Sequence, residues 1–180
     1  MLETPKTGRD SQSETAPDVT MDNQQATLVI AGLYLGEGHF TLMRNKNGRG
    51  NMQYHTEVGF TNQDPAFIDY VCSWLETNEI PHFIHGCTGS CYQIKVQRFA
   101  PVVRLINLLE PYLIGRKLSE ARILRRFVLR RMPKAYMGNN ESRKYDETDY
   151  ADFAERQSLR ESSETIRAPE CWNKHQHLKI

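Results

Sequence analysis

Two neighbouring segments, 39–45 and 52–60, alternate between apolar and polar side chains, and a glycine-rich segment, Lys46–Gly50, separates them. Lysine, asparagine, glycine and arginine in that segment are typical of a turn. Because successive side chains of a strand point to opposite faces of a sheet, the pattern predicts a β-hairpin with one buried and one solvated face. The residues expected to face inward are Phe40, Leu42, Met52, Tyr54, Val58 and Phe60.

A second, shorter pair of alternating segments, 82–86 and 92–98, flanks another turn at Cys87–Cys91. Its pattern predicts a second hairpin in the same way. The residues expected to face inward in its second strand are Tyr92, Ile94 and Val96. Together the two hairpins predict four short antiparallel strands.

The first predicted helix, Gln25–Gly36, is unusual for the small size of some of its residues. Its predicted face consists of residues at i, i+3, i+4 and i+7, namely Leu28, Ala31, Gly32 and Leu35. A glycine inside a helix costs about 1 kcal/mol relative to alanine. We therefore expect another backbone to approach this face closely.

Further helices are predicted after each hairpin. Asp64 and Pro65 supply an N-cap and a first helical residue, Pro101 begins another helix, and 119–132 and 150–159 form two more. The predicted fold class is α+β, with the helices on one face of an antiparallel sheet. The expected divisions are a disordered tail at 1–24, a core at 25–134, a helical extension at 135–167 and a flexible tail at 168–180.

The solvated face of the predicted sheet carries mixed hydrogen-bond donors and acceptors. Such side chains suit hydrogen bonding to base edges, and a β-ribbon fits the major groove of DNA. A sheet face that is merely solvated is the alternative. The candidate base-contacting residues are His39, Thr41, Met43, Asn45, Gln53, His55, Glu57, Gln93, Lys95 and Gln97.

Positive charge is concentrated in one segment, 95–134, which holds 11 Lys and Arg against 2 Asp and Glu, although the whole chain has a net charge of +1. A concentration of this kind is expected of a surface that meets phosphate. Two alternatives are a solvated helix face and pairing of the arginines with the acidic residues at 146–152. The arginines concerned are Arg122, Arg125, Arg126, Arg130 and Arg131.

The segment Ile30–Gly38, IAGLYLGEG, resembles the defining motif of the LAGLIDADG homing endonucleases. The element order αββαββα over 26–134 is similar to that of the single-motif members. Further matches, which extend the resemblance to about 26–167, are Thr61-Asn62, Asp64-Pro65, Glu110–Leu113, Arg116-Lys117 and Ser162–Arg167. The resemblance implies the family's fold, an antiparallel sheet saddle with helices on one face.

The resemblance also implies an active site. Glu37, with the carbonyl of Gly36, would bind Mg²⁺ or another divalent cation, which activates water for attack on phosphorus. Asn62 occupies the position of the water-organising residue, and Lys117, or Arg116 if the alignment shifts by one, that of the basic residue near the scissile phosphate. Leu35 departs from the motif, in which aspartate is frequent at that position.

The implied function is site-specific, metal-dependent cleavage of double-stranded DNA by a homodimer, because only one copy of the motif is present. The interface would be formed by Leu28, Ala31, Gly32 and Leu35, and the target would be long and pseudo-palindromic. An intron RNA maturase, with intron RNA as a partner, or a cleavage-deficient DNA-binding protein is the alternative. We expect no membrane association and an intracellular protein, cytoplasmic in a prokaryote or organellar if organelle-encoded.

Overall fold

The computed structural model describes residues 22–46, 48–86, 91–136 and 145–164. The predicted disordered and flexible tails lie outside these residues, except that the first helix begins at Asn23, inside the predicted tail. In chain order the elements are α1 (Asn23–Glu37), β1 (Gly38–Lys46), β2 (Met52–Asn62), α2 (Pro65–Thr77), β3 (Phe83–Gly86), β4 (Tyr92–Gln97), α3 (Phe99–Leu109), a short 3-10 helix (Glu110–Tyr112), α4 (Gly115–Tyr136) and α5 (Glu147–Glu164).

The four strands form one antiparallel sheet in the order β1-β2-β4-β3, so the α+β prediction is confirmed. The register pairs Phe40 with Val58 and Val58 with Val96, which places their side chains on one face. The helices pack against this face, where Phe40, Val58, Phe60 and Val96 are at most 1% exposed. The other face of the sheet carries the polar residues.

Local sequence signals explain where the second helix begins. The Asp64 side chain accepts a hydrogen bond from the backbone N–H of Ala66 at 2.9 Å, and Pro65 occupies the first helical position. Within this helix, Val71 and Trp74 are buried, whereas Phe67 is only partly buried. The helix therefore begins at the predicted residue.

Three other predictions differ from the structure. Tyr92, expected to face inward, is 42% exposed at the end of β4. Helix α3 begins two residues before Pro101, and α4 begins at Gly115 rather than near residue 119. Tyr92 is the first residue of β4 and lies opposite Gly86, the last residue of the edge strand β3, so its side chain is at the end of the sheet and is exposed.

Helix α5 packs beside β1 and completes the core. The Arg156 guanidinium is buried and donates hydrogen bonds to the backbone carbonyls of Phe40 and Leu42. On β2, the Tyr54 ring lies 5.3 Å from the Phe127 ring and 5.8 Å from the Phe153 ring, measured between centroids. None of the helices in the described part of the chain has the length and apolar character needed to cross a membrane.

Candidate nucleic-acid interface

The register of the sheet arranges the polar face in rows that cross the strands. One row contains His39, Gly59 and Lys95, and the next contains Thr41, Glu57 and Gln97. Strand β2 contributes to both rows because it lies between β1 and β4. The structure thus brings all ten candidate base-contacting residues onto one face, at His39, Thr41, Met43, Asn45, Gln53, His55, Glu57, Gln93, Lys95 and Gln97.

Glu57 lies at the centre of this face and is buried by its neighbours. Gln97 Nε2 donates a hydrogen bond to Glu57 Oε2 at 2.7 Å. His39 Nε2 lies 3.5 Å from Oε1, and His55 Nε2 lies 3.4 Å from Oε2. Lys95 Nζ lies 3.6 Å from Oε2. The Glu57 side chain is only 5% exposed as a result.

This burial corrects the prediction that Glu57 is a solvated residue able to contact bases. Alternation along β2 assigned the carboxylate to the polar face, but residues of β1 and β4 cover it. Burial tends to raise the pKa of Glu57. Hydrogen bonds from His39, Gln97 and His55, with the Lys95 charge, outweigh burial and lower this pKa to about 2. Glu57 is therefore a buried anion surrounded by donors.

Gly59 allows His39 to reach this cluster. A Cβ atom built on Gly59 would lie 2.5 Å from His39 Cε1 and 2.9 Å from the Ile94 carbonyl oxygen. The imidazole therefore occupies the space that any other residue at position 59 would fill. In the same region, Gln93 Nε2 lies 3.1 Å from His39 Nε2.

Glu37, the candidate metal ligand, is the last residue of α1 and is exposed. Its carboxylate forms no hydrogen bond or ion pair with any residue in the described part of the chain. Gly36 is also exposed, with open space around it, and its carbonyl lies in the last helical turn, where carbonyls have no intrahelical partner. A free carboxylate and a free carbonyl are the hard oxygen donors that Mg²⁺ prefers.

Lys117 of α4 contacts the residue next to Glu37. Its Nζ donates a hydrogen bond to the Gly38 carbonyl and lies 5.4 Å from the centroid of the Tyr34 ring. Burial lowers the pKa of Lys117, and the nearby Glu120 opposes this effect. Arg116, the alternative basic residue, instead forms an ion pair with Glu120, with Nε 3.7 Å from Oε1.

Asn62 is the last residue of β2. Because Gly38, the first residue of β1, pairs with Phe60, Asn62 lies at the same end of the sheet as Glu37. Its Oδ1 accepts a hydrogen bond from the backbone N–H of Asp64 at 2.9 Å. The amide NH2 of Asn62 is bonded to none of the described residues.

The outer face of α1 is apolar and unpartnered within the described residues. Leu28 is 56% exposed and Val29 is 41% exposed, and a Cβ built on Gly32 would contact nothing within 4 Å. Leu35 is partly buried against the core. Ala31, predicted to belong to this face, is completely buried in the chain's own core, so we exclude it from the exposed face.

The arginines of α4 pair largely with other residues of the chain, and three of them have partners among the acidic residues at 146–152, which is one of the alternatives stated above. Arg126 and Arg130 donate hydrogen bonds to Asp152 of α5, and Arg131 Nη1 lies 3.3 Å from Asp149 Oδ2. Arg122 Nε lies 3.0 Å from Glu110 Oε1, and Arg125 Nε lies 2.7 Å from Asn107 Oδ1. The sequence offers the acidic residues at 146–152 as partners, and the packing of α5 on α4 decides which arginine meets which acid.

The described residues contain no group of three or more histidine, cysteine, aspartate or glutamate side chains that could hold a metal ion. Among the described residues, Glu37 therefore offers one carboxylate to a cation, and the Gly36 carbonyl is the other oxygen donor beside it.

No protein-family model and no curated protein sequence matches the chain. Solved structures do match. The homing endonuclease I-CvuI, in complex with the I-CreI target in the presence of Mg, has a TM-score of 0.56 at 12% identity, covering 82% of this chain and 85% of that one. The archaeal intron-encoded homing endonuclease I-Vdi141I, complexed with DNA, has a TM-score of 0.57 at 17% identity, covering 74% and 86%.

A third match is longer than this chain. The meganuclease I-SmaMI, bound to uncleaveable DNA, has a TM-score of 0.55 at 17% identity, and the match covers 78% of this chain but 45% of that one. This chain thus spans about half the length of I-SmaMI. The similarity to all three structures shows that the chain has the fold of the LAGLIDADG homing endonucleases.

Proposed function

We propose that this chain is a site-specific DNA endonuclease that acts as a homodimer on a long, pseudo-palindromic target with a divalent metal ion at Glu37. The observation that carries the proposal is the free Glu37 carboxylate, which lies at one end of a polar sheet face and at the end of an unpartnered helix face. The polar sheet face proposed to contact bases, the proposed metal ligand and the helix face proposed to pair two copies therefore lie next to one another.

The polar face supports binding to base edges. Its exposed side chains include Asn45 and Gln53, which pair in the register near the hairpin turn. Amide side chains can both donate to and accept from bases in the major groove. Strand β1 has nine residues and so spans about 30 Å, or roughly nine base-pair steps at ~3.4 Å each. Two copies would cover a target about twice as long.

The end of α1 supports hydrolysis of a phosphodiester. A divalent cation bound there supplies activation of water and stabilisation of charge on the phosphate. In the reaction the oxygen of water would bond to phosphorus, the bond from phosphorus to one sugar oxygen would break, and that sugar oxygen would leave as a hydroxyl carrying one proton of the water. Glu37 would hold the cation and the Asn62 amide would orient the water. Lys117, whose Nζ donates to the carbonyl of Gly38, the residue after Glu37, would stabilise negative charge on the phosphate.

The exposed face of α1 supports the homodimer. Leu28, Val29 and Gly32 would pair with the same residues of a second copy across a two-fold axis. This pairing would bring two Glu37 carboxylates together, one for each DNA strand. The length of I-SmaMI, about twice that of this chain, is consistent with a second such unit in the same polypeptide.

Cleavage of the DNA that flanks the reading frame tests the proposal. The purified protein is incubated with the intron-less form of that DNA and Mg²⁺, and we expect one double-strand break. Glu37→Gln should abolish cleavage and leave specific binding within a few-fold, because the metal-binding charge is lost and the sheet is unchanged. Glu76→Gln, which replaces an exposed acid of α2, is the matched control and should cleave like the wild type.

Three results would contradict the proposal. Cleavage retained by Glu37→Gln would exclude Glu37 as the essential ligand. Specific DNA binding without a break would indicate a cleavage-deficient DNA-binding protein. Neither a break nor specific DNA binding, together with tight binding of the intron RNA, would indicate a maturase.

A further inference from the structure

The buried Glu57 connects three strands of the polar face. Its carboxylate contacts His39 of β1, Lys95 and Gln97 of β4, and its β2 neighbour His55. Gln93 joins the cluster through His39. Five of the ten side chains on the face therefore depend, directly or through one neighbour, on a residue that is itself only 5% exposed.

We propose that Glu57 is a positioning residue: it determines the hydrogen-bonding pattern that the sheet presents to DNA without contacting a base. The proposal rests on the proposed function, since this pattern matters for specificity only if DNA binds on this face.

Elementary hydrogen-bond chemistry explains how a carboxylate can do this. Ionised glutamate has only acceptors, so a ring nitrogen that bonds to it must carry the hydrogen. His39 Nε2 faces Oε1 at 3.5 Å, which selects the Nε2–H form and leaves Nδ1 as an acceptor. Gln97 donates its amide N–H to Oε2 at 2.7 Å, which leaves its amide oxygen free to accept.

The same carboxylate fixes the amide of Gln93. The Gln93 amide nitrogen lies 3.1 Å from His39 Nε2, and two donors cannot bond to each other. A hydrogen on Nε2 therefore requires the amide to turn its oxygen toward the ring, which leaves its NH2 to donate outward. His55 Nε2 lies both 3.4 Å from Glu57 and 3.2 Å from Gln97 Nε2, so its ring is held between them. One buried charge thus orients donors and acceptors on β1, β2 and β4.

The cluster extends along the strands as well as across them. From His55 to Gly59, β2 advances four residues, or about 13 Å, which corresponds to roughly four base-pair steps. Loss of the Glu57 charge should therefore alter discrimination at several neighbouring base pairs. Side chains held in place before binding also lose less freedom when DNA binds.

The test compares Glu57→Gln with Gln93→Ala and the wild type. The first readout is the tautomer of His39 in the DNA-free protein, from the nitrogen chemical shifts of its ring. We expect Nε2–H in the wild type and a mixture of tautomers in Glu57→Gln. The second readout is affinity for a panel of single-base variants of the half-site, in which Glu57→Gln should lose discrimination at two or more positions by about 5–100-fold each, and Gln93→Ala at one.

The two readouts separate this proposal from the proposed function. An unchanged His39 tautomer in Glu57→Gln overturns the positioning role, whether or not the protein binds DNA. Unchanged base discrimination in Glu57→Gln also overturns it. Absence of specific DNA binding by the wild type would instead refute the proposed function, and with it the role in specificity.

If Glu57→Gln does not fold, a double-mutant cycle tests the positioning role of Glu57 instead. His39→Gln and Lys95→Gln each remove one partner from opposite strands and leave the carboxylate in place. Because both residues contact Glu57, we expect their effects on base discrimination to be non-additive. Additive effects would show that the residues act independently and would overturn the proposal.

Discussion

At the scale of single residues, two carboxylates of this chain have opposite environments. Glu57 is buried with four donors around it, whereas Glu37 is exposed and free of partners among the described residues. A buried anion that is fully hydrogen-bonded stabilises the fold and fixes its neighbours. A free anion at a helix end opposes the helix dipole, so it remains available for a cation. Environment, more than residue type, thus separates the two roles.

The lowered pKa of Glu57 predicts how stability depends on pH. The folded-state pKa is about 2 against an ordinary value of 4.5, so the folded state prefers the ionised form. This contribution is complete above pH 4.5 and is lost as the pH falls toward 2. At about 1.4 kcal/mol per pKa unit it amounts to roughly 3–4 kcal/mol.

Urea denaturation of the wild type and Glu57→Gln from pH 6 to pH 2 measures this contribution. We expect the difference in unfolding free energy between the two proteins to shrink by about that amount as the pH falls. Glu76→Gln, an exposed acid replaced in the same way, should follow the wild type throughout. A constant difference between wild type and Glu57→Gln across this range would contradict the prediction.

At the scale of elements, α4 and α5 are joined by ion pairs that differ in burial. Asp149 is completely buried and bonds to Arg130 and Arg131, of which Arg131 is only 3% exposed. Glu155 is exposed and bonds to Arg126. Breaking a buried pair leaves an uncompensated charge away from water, whereas an exposed partner is replaced by solvent. The buried pairs therefore hold α5 in place.

We predict that Asp149→Asn lowers the free energy of unfolding by about 3–5 kcal/mol, because Arg131 loses a buried anion. Glu155→Gln on the same helix is the matched control and should cost at most ~1 kcal/mol. Chemical denaturation of both variants at the same ionic strength measures the costs. Equal costs would mean that burial does not determine the strength of these pairs.

At the scale of the whole molecule, the outer face of α1 is the surface proposed to pair two copies of the chain. It combines the exposed Leu28 and Val29 with glycines at 32 and 36 that leave room for a second backbone. Exposed apolar patches of this kind mark interaction surfaces. The same helix ends in Glu37, so pairing of two copies would also place the two proposed metal ligands near each other.

We predict that the wild type is a homodimer and that Gly32→Leu is a monomer in sedimentation at micromolar concentration. A Cβ atom at position 32 would meet no described residue within 4 Å, so the monomer should gain helix stability, by up to about 1 kcal/mol. In the dimer the added side chain would separate the paired helices. Ser73→Leu adds a leucine to an exposed position of α2 and should remain dimeric. A monomeric wild type, or a dimeric Gly32→Leu, would contradict the prediction.

The sequence by itself determined the elements and the fold class. Alternation over 39–45 and 52–60 predicted strands β1 and β2, and Asp64-Pro65 predicted the start of α2. The motif at Ile30–Gly38 indicated the fold that the structure has. These signals are local, because the period of a strand or helix and the residues at its ends lie within one segment.

Only the tertiary structure decided which side chains are covered and what they pair with. Glu57 is buried by residues up to 40 positions away, and Arg126 pairs with Asp152, 26 positions away. Helical periodicity predicted that Ala31 and Gly32 share one face of α1. The packing of α1 on the sheet instead buries Ala31 in the core. Burial and ion pairing depend on the relative placement of distant segments, and no local pattern in the sequence records that placement.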